Sequence, residues 1–128
     1  MSVAGIEWHK TIQQAMRQRG IPYQEIEEQE YFKFGAGNVI ASTRAFIYAV
    51  GFKGRLEVIK MSCVDHPSAV ACPGLISPHD MGRLKVGMLF GTDELLIRDK
   101  SYPREWTDNG HPRLYLLDFP ERMPPKKL

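Results

Sequence analysis

Two cysteines and two histidines gather in one stretch of this chain: Cys63, His66, Cys72 and His79 fall within seventeen positions. Zinc is held by Cys and His in tetrahedral sets of four, so these are the first residues to weigh as metal ligands. Their spacing, C-x2-H-x5-C-x6-H, matches no finger or knuckle pattern. Cys63 also ends an apolar run, where a small buried residue is ordinary. The stretch therefore reads as core and loop, with no metal or other cofactor expected, and a small zinc-binding domain on these four residues stands as the weaker alternative. The spacing leaves a Cys63–Cys72 disulfide open, which a reducing compartment would disfavour.

Other reactive types are scattered. No Gly-x-Ser-x-Gly turn occurs, and neither cysteine has a recognisable catalytic setting. His111, in Asn109-Gly110-His111-Pro112, reads as a turn residue. Gly35-Ala36-Gly37 lacks the third glycine or the Lys-Ser pair of a phosphate cradle and precedes a strand, so it reads as a hairpin tip. Aspartic proteolysis needs two carboxylates that share a proton, one acting as base on water and one as acid. A chain this short would supply one per subunit, from an Asp-[Ser/Thr]-Gly turn. None of the six aspartates (Asp65, Asp80, Asp93, Asp99, Asp108, Asp118) stands in that turn.

The elements that would position these residues emerge from periodicity. Ala4, Trp8, Ile12, Ala15 and Met16 recur at helical spacing, which predicts a helix over 4–19 with Gly20 as its C-terminal cap and Pro22 behind it. From Tyr23 the pattern becomes extended. Tyr23, Ile26 and the acids Glu25, Glu27, Glu28 and Glu30 make a polar, edge-like segment, and Tyr31–Phe34 is short and aromatic. Val39–Val50 and Arg55–Val64 flank a glycine-containing turn and predict a hairpin. Asp65–Pro73 reads as a loop and Gly74–Ile76 as a short buried strand. Ser77-Pro78-His79-Asp80 is a strong helix start, for a helix from Pro78 to about Leu84. Val86–Phe90 and Glu94–Arg98 predict a second hairpin, 99–112 an irregular stretch, Arg113–Phe119 a last strand, and 121–128 a flexible tail.

Composition sets the frame. The chain has 128 residues, 43% hydrophobic and 25% charged, with a formal net charge of +2. That suits one soluble domain over 1–120 and argues against general disorder. Basic residues are interleaved with acids, so no direct nucleic-acid binding is expected. No apolar run reaches the ~20 residues of a membrane helix, and no secretory leader stands at the N-terminus, so an intracellular, cytoplasmic protein is expected.

One ordered set of segments resembles a known family. Phe32-Lys33-Phe34-Gly35-Ala36-Gly37, then Ser42 and Phe46-Ile47-Tyr48-Ala49-Val50-Gly51, resembles the flap-bearing half of retropepsin-like aspartic protease domains of retroelement polyproteins. Gly54–Val64 comes next, as the family's next strand does, and Pro73–Leu84 is similar to its step into a short helix. Gly110-His111-Pro112-Arg113-Leu114-Tyr115-Leu116 is similar to its closing segment. Ser2–His9 resembles the family's segment just after the catalytic turn, so the chain looks like such a domain cut at its N-terminal side, a truncated fragment or pseudoenzyme.

The resemblance implies a mainly β fold: a small closed, barrel-like antiparallel sheet with an N-terminal helix and one short internal helix. It also implies a homodimer and an extended peptide or polyprotein substrate beneath a flap at Phe34, Gly35, Ala36, Gly37 and Asn38. Without the aspartate turn the chain is expected to be inactive, with no catalytic residue assigned, and a strand beside the missing one would expose an unpaired edge. The alternative from the residues themselves is a non-enzymatic β module that binds a peptide or protein partner through its sheet edge.

Overall fold

The computed structural model describes residues 1–33, 37, 39–52, 54–89, 94–98, 100–103, 105–106, 112–113 and 116–117. Strand β1 (Val3–Gly5) leads into helix α1 (Ile6–Gln18), then β2 (Tyr23–Lys33), β3 (Val39–Phe52) and β4 (Arg55–Val64). Helix α2 (Pro78–Arg83) precedes β5 (Val86–Leu89), β6 (Glu94–Ile97), β7 (Lys100–Pro103), β8 (Glu105–Trp106) and β9 (Pro112–Arg113). The chain is mainly β, with two helices among the described residues. Its sheets are open: a four-stranded sheet of order β1-β4-β3-β2, a three-stranded sheet β5-β6-β7 and the pair β8-β9. That corrects the expected closed barrel. Among the described residues, no helix is long and apolar enough to cross a membrane.

The helix begins later than its periodicity suggests. Val3, Ala4 and Gly5 pair in parallel with Ser62, Cys63 and Val64 of β4. Their other side is held by the loop after β4: Val3 N–H donates to Leu75 O (3.0 Å), Leu75 N–H to Val3 O (2.8 Å) and Gly5 N–H to Cys72 O (2.9 Å). A backbone satisfied on both sides stays extended, whatever the side-chain spacing. Gly5 is required there, since a Cβ would stand 2.3 Å from Val70 O and 2.4 Å from Ala69 O. The expected strand at Gly74–Ile76 reduces to one antiparallel bridge between Leu75 and Val3. Helix α1 buries Ile6, His9, Ile12 and Met16 on one stripe. It ends as Gly20 implies: Gly20 takes φ 68°, its N–H donates to Arg17 O, and Ile21 N–H donates to Met16 O. This pair of bonds is the Schellman closure.

The segment read as an acidic edge and a short aromatic run is one strand, β2, antiparallel to β3 from Tyr23↔Tyr48 to Lys33↔Val39. A bulge between Glu27 and Glu30 joins its two halves. The β3–β4 and β5–β6 hairpins and helix α2 lie where the sequence puts them. The stretch 99–112 is not irregular throughout: β7 adds to β6, with Ile97↔Lys100 through Glu94↔Pro103 in register, and β8 pairs with β9. Of the expected last strand, Arg113 belongs to β9 and Leu117 makes a parallel bridge to Gly51. Residues 114–115 and 118–119 and the tail 121–128 lie outside the described residues.

The chain groups into two compact units. One contains Met1–Ala49 and Val58–Ser77, with α1 on the four-stranded sheet and a second cluster of Val3, Ile40, Val64 and Ala69, against which Phe32 and Cys72 pack. The other contains Val50–Glu57 and the described residues from Pro78 onward; Leu84, Val86 and Ile97 are buried and Arg98 pairs with Glu57.

Candidate functional site

The proposed metal ligands are not assembled. Among the described residues no three His, Cys, Asp or Glu side chains form a group that could hold a metal. Cys63 and Cys72 are free thiols. His66 Nδ1 accepts from its own loop, from Ser68 Oγ (2.7 Å) and Ser68 N–H (3.1 Å). Cys72 Sγ–H donates to Pro73 O (3.4 Å), and His79 is exposed on α2. Burial pushes both thiols above their ordinary range, most directly opposing the thiolate a nucleophile needs. The described aspartates are separately engaged: Asp65 lies 3.9 Å from Arg44 and Asp80 lies 3.7 Å from Arg83. Of the flap candidates, Gly37 is exposed in the loop joining β2 to β3, while Phe34, Gly35, Ala36 and Asn38 lie outside the described residues.

A polar cluster that periodicity alone does not flag sits beneath α1. His9 is fully buried. Its Nε2 is 3.0 Å from the Ser62 carbonyl and its Nδ1 is 2.6 Å from the Tyr48 hydroxyl. A carbonyl only accepts, so Nε2 carries the proton and Nδ1 is the acceptor. Tyr48 O–H then donates to His9, and Gln13 Nε2–H donates to the Tyr48 oxygen at 3.0 Å. The whole chain is satisfied with a neutral imidazole. Burial is the largest influence on His9 and lowers its pKa, against the raising effect of the Ser62 carbonyl. Burial likewise raises Tyr48. Trp8, Phe46 and Tyr23 surround the pair, with ring centroids of His9 and Phe46 5.0 Å apart. A neutral His with both nitrogens occupied inside an aromatic shell has no reacting atom to meet, so this cluster positions α1 on the sheet. Its sequence signal was His9 standing three residues from both Ile6 and Ile12.

The accessible chemistry lies at the edge of the same sheet. β1 is covered by residues 70–75, whereas none of the described residues covers the outer side of Tyr23–Tyr31. Among the described residues, no strand, bridge or backbone hydrogen bond lies along the outer side of Tyr23–Tyr31. In an antiparallel strand alternate N–H and C=O groups point outward, so this side offers a row of backbone groups with no partner among the described residues. Gln24, Glu25, Glu27, Gln29 and Tyr31 are exposed along it. Two of its four glutamates are engaged. Glu25 meets Arg44 at 3.4 Å. Glu28, at the bulge, has a side chain only 6% exposed and sits 3.2 Å from Lys60 Nζ. Ser42 Oγ lies within 2.6 Å of Glu28 Oε2 and 2.8 Å of Arg44 O, and its single proton serves one at a time.

Comparison with protein-family models, with curated proteins and with solved structures finds no match to this chain.

Proposed function

We propose that this chain is a non-enzymatic β module that holds an extended peptide along the outer edge of β2. The observation that carries this reading is the contrast between the two edges of one sheet. One edge is closed by its own chain, and the other runs for most of an 11-residue strand with nothing described beside it. Strand addition supplies affinity through main-chain hydrogen bonds and selectivity through alternate side chains. Hydrolysis is left out of the reading because no aspartate of the sequence occupies an Asp-[Ser/Thr]-Gly turn. Descent from a retropepsin-like domain is part of the same proposal: such domains hold polyprotein segments extended, and a copy without its catalytic turn would keep binding as its remaining activity.

The test is an array of extended eight-residue peptides of varied charge, probed with the purified chain, then repeated with the binders N-methylated at alternate positions. Saturable binding that weakens by about tenfold on methylation is expected, the scale of one or two lost backbone hydrogen bonds. Binding indifferent to methylation, or no binding across the array, would overturn the proposal.

A further inference from the structure

The charge along β2 narrows the partner further, on the assumption that the strand-addition reading holds. β2 carries four glutamates and one lysine in a chain whose net charge is +2, so negative charge is concentrated where the sheet is open. Arg44 and Lys60 neutralise Glu25 and Glu28 from within the sheet. Glu27 is exposed and Glu30 half-buried, and neither has an ion-pair partner among the described residues. They flank the bulge, within about 10 Å of each other along the strand. Tyr31, 58% exposed, comes next on the same edge and offers an aromatic surface.

We infer that the occupant of this edge is a basic extended segment of another protein, with Lys or Arg side chains two or three positions apart set against Glu27 and Glu30. Pairing with a second copy is opposed in the registers that align these acids. In the antiparallel register centred between Glu27 and Glu28, Glu25 stands opposite Glu30 and Glu27 opposite Glu28. Parallel in-register pairing likewise sets each glutamate against itself. Directly opposed like charges destabilise a strand pair. Charged edges guard against self-pairing in general, and an acidic guard favours a basic strand over an acidic one.

The experiment uses the full chain and three fluorescein-labelled peptides: Thr-Lys-Val-Lys-Thr-Lys-Val-Lys, its Glu-for-Lys counterpart, and the lysine peptide N-methylated at alternate residues. Anisotropy titrations at low and high salt are run on the wild-type chain and on Glu27→Gln/Glu30→Gln, with Glu27→Lys/Glu30→Lys as a second variant. Thermal melts establish that each variant folds. The lysine peptide should bind and the glutamate peptide should not. The Gln variant should weaken binding by about fivefold to tenfold, as expected for two partly exposed charge pairs, with less loss at high salt.

Methylation should weaken the lysine peptide further. If the glutamate peptide binds as well as the lysine peptide and both are sensitive to methylation, strand addition stands and the basic partner is overturned. If lysine-peptide binding ignores methylation, the attraction is surface electrostatics and the strand-addition reading fails with it. A concentration-dependent dimer that the charge-reversed variant disrupts would replace the basic segment with a second copy.

Discussion

His9 and Ser62 show how differently two buried polar side chains on touching elements can stand. The His9 imidazole, the Tyr48 hydroxyl and the Gln13 amide form a relay in which both His9 nitrogens and the Tyr48 hydroxyl are partnered. Tyr48→Phe removes its middle member and leaves His9 Nδ1 without a donor. It should cost about 1–3 kcal/mol in denaturant unfolding, the penalty of an unmet buried polar atom. The Ser62 hydroxyl, in contrast, is buried with no hydrogen-bond partner among the described residues, while the Ser62 backbone serves His9 and Ser2. Ser62→Ala should therefore be neutral or slightly stabilising in the same measurement, and a loss above about 1 kcal/mol would show the hydroxyl to be partnered. His9 also links folding to pH. Its folded pKa lies below the ordinary 6.5, so the unfolded chain binds more protons in that window. Stability from this group is complete above about pH 6.5 and declines as pH falls toward the folded value. His9→Gln should flatten that limb of the stability–pH curve, and an unchanged slope would show that His9 has the same pKa in the folded and unfolded chain.

At the scale of elements, β1 is the piece that least resembles its local sequence. Val3–Gly5 stay extended, although the helical spacing reaches back to Ala4, because β4 on one side and residues 70–75 on the other take up their backbone groups. Gly5→Ala drives a methyl into the Val70 and Ala69 carbonyls, and backbone cannot yield as a side chain can. A loss of about 1–3 kcal/mol is expected, read as an earlier chemical-denaturation midpoint with unchanged slope. The elements with strong local signatures were legible in the sequence: the Ile12–Met16 stripe, the glycine after α1, the Ser77-Pro78 helix start and the glycine-joined hairpins. Partners distant in sequence were not. Nothing local to Val3–Gly5 announces Ser62–Val64, and nothing local to Lys100–Pro103 announces its pairing with β6. Binding chemistry shows the same division. The acidic, edge-like character of Tyr23–Glu30 could be read directly, whereas the bulge and the outer side, without a partner among the described residues, depend on which strand became the neighbour. The four Cys and His residues of 63–79 lie close in sequence, yet each finds its own partner or solvent.

For the whole molecule, the protease and binding-module readings separate in one engineered chain. Fuse ahead of Met1 a strand-forming segment that carries Asp-Thr-Gly, and compare it with the chain itself. Catalysis would require that segment to enter the sheet beside β1, and two such aspartates to meet across a dimer so that they share one proton. The outer side of β1 is already taken by Leu75 and Cys72 through backbone hydrogen bonds of 2.8–3.0 Å. An incoming strand must break them before making its own. The acidic β2 edge, in turn, opposes association of two copies along that side. The expected outcome is no cleavage of extended peptides between about pH 3 and pH 5, where one carboxylate of such a dyad would be ionised, with binding of the lysine peptide unchanged by the fusion. Cleavage that disappears on replacing the fused Asp by Asn would show that the sheet can reopen at β1. It would return the chain to the aspartic protease class and leave peptide binding at β2 as a secondary property at most.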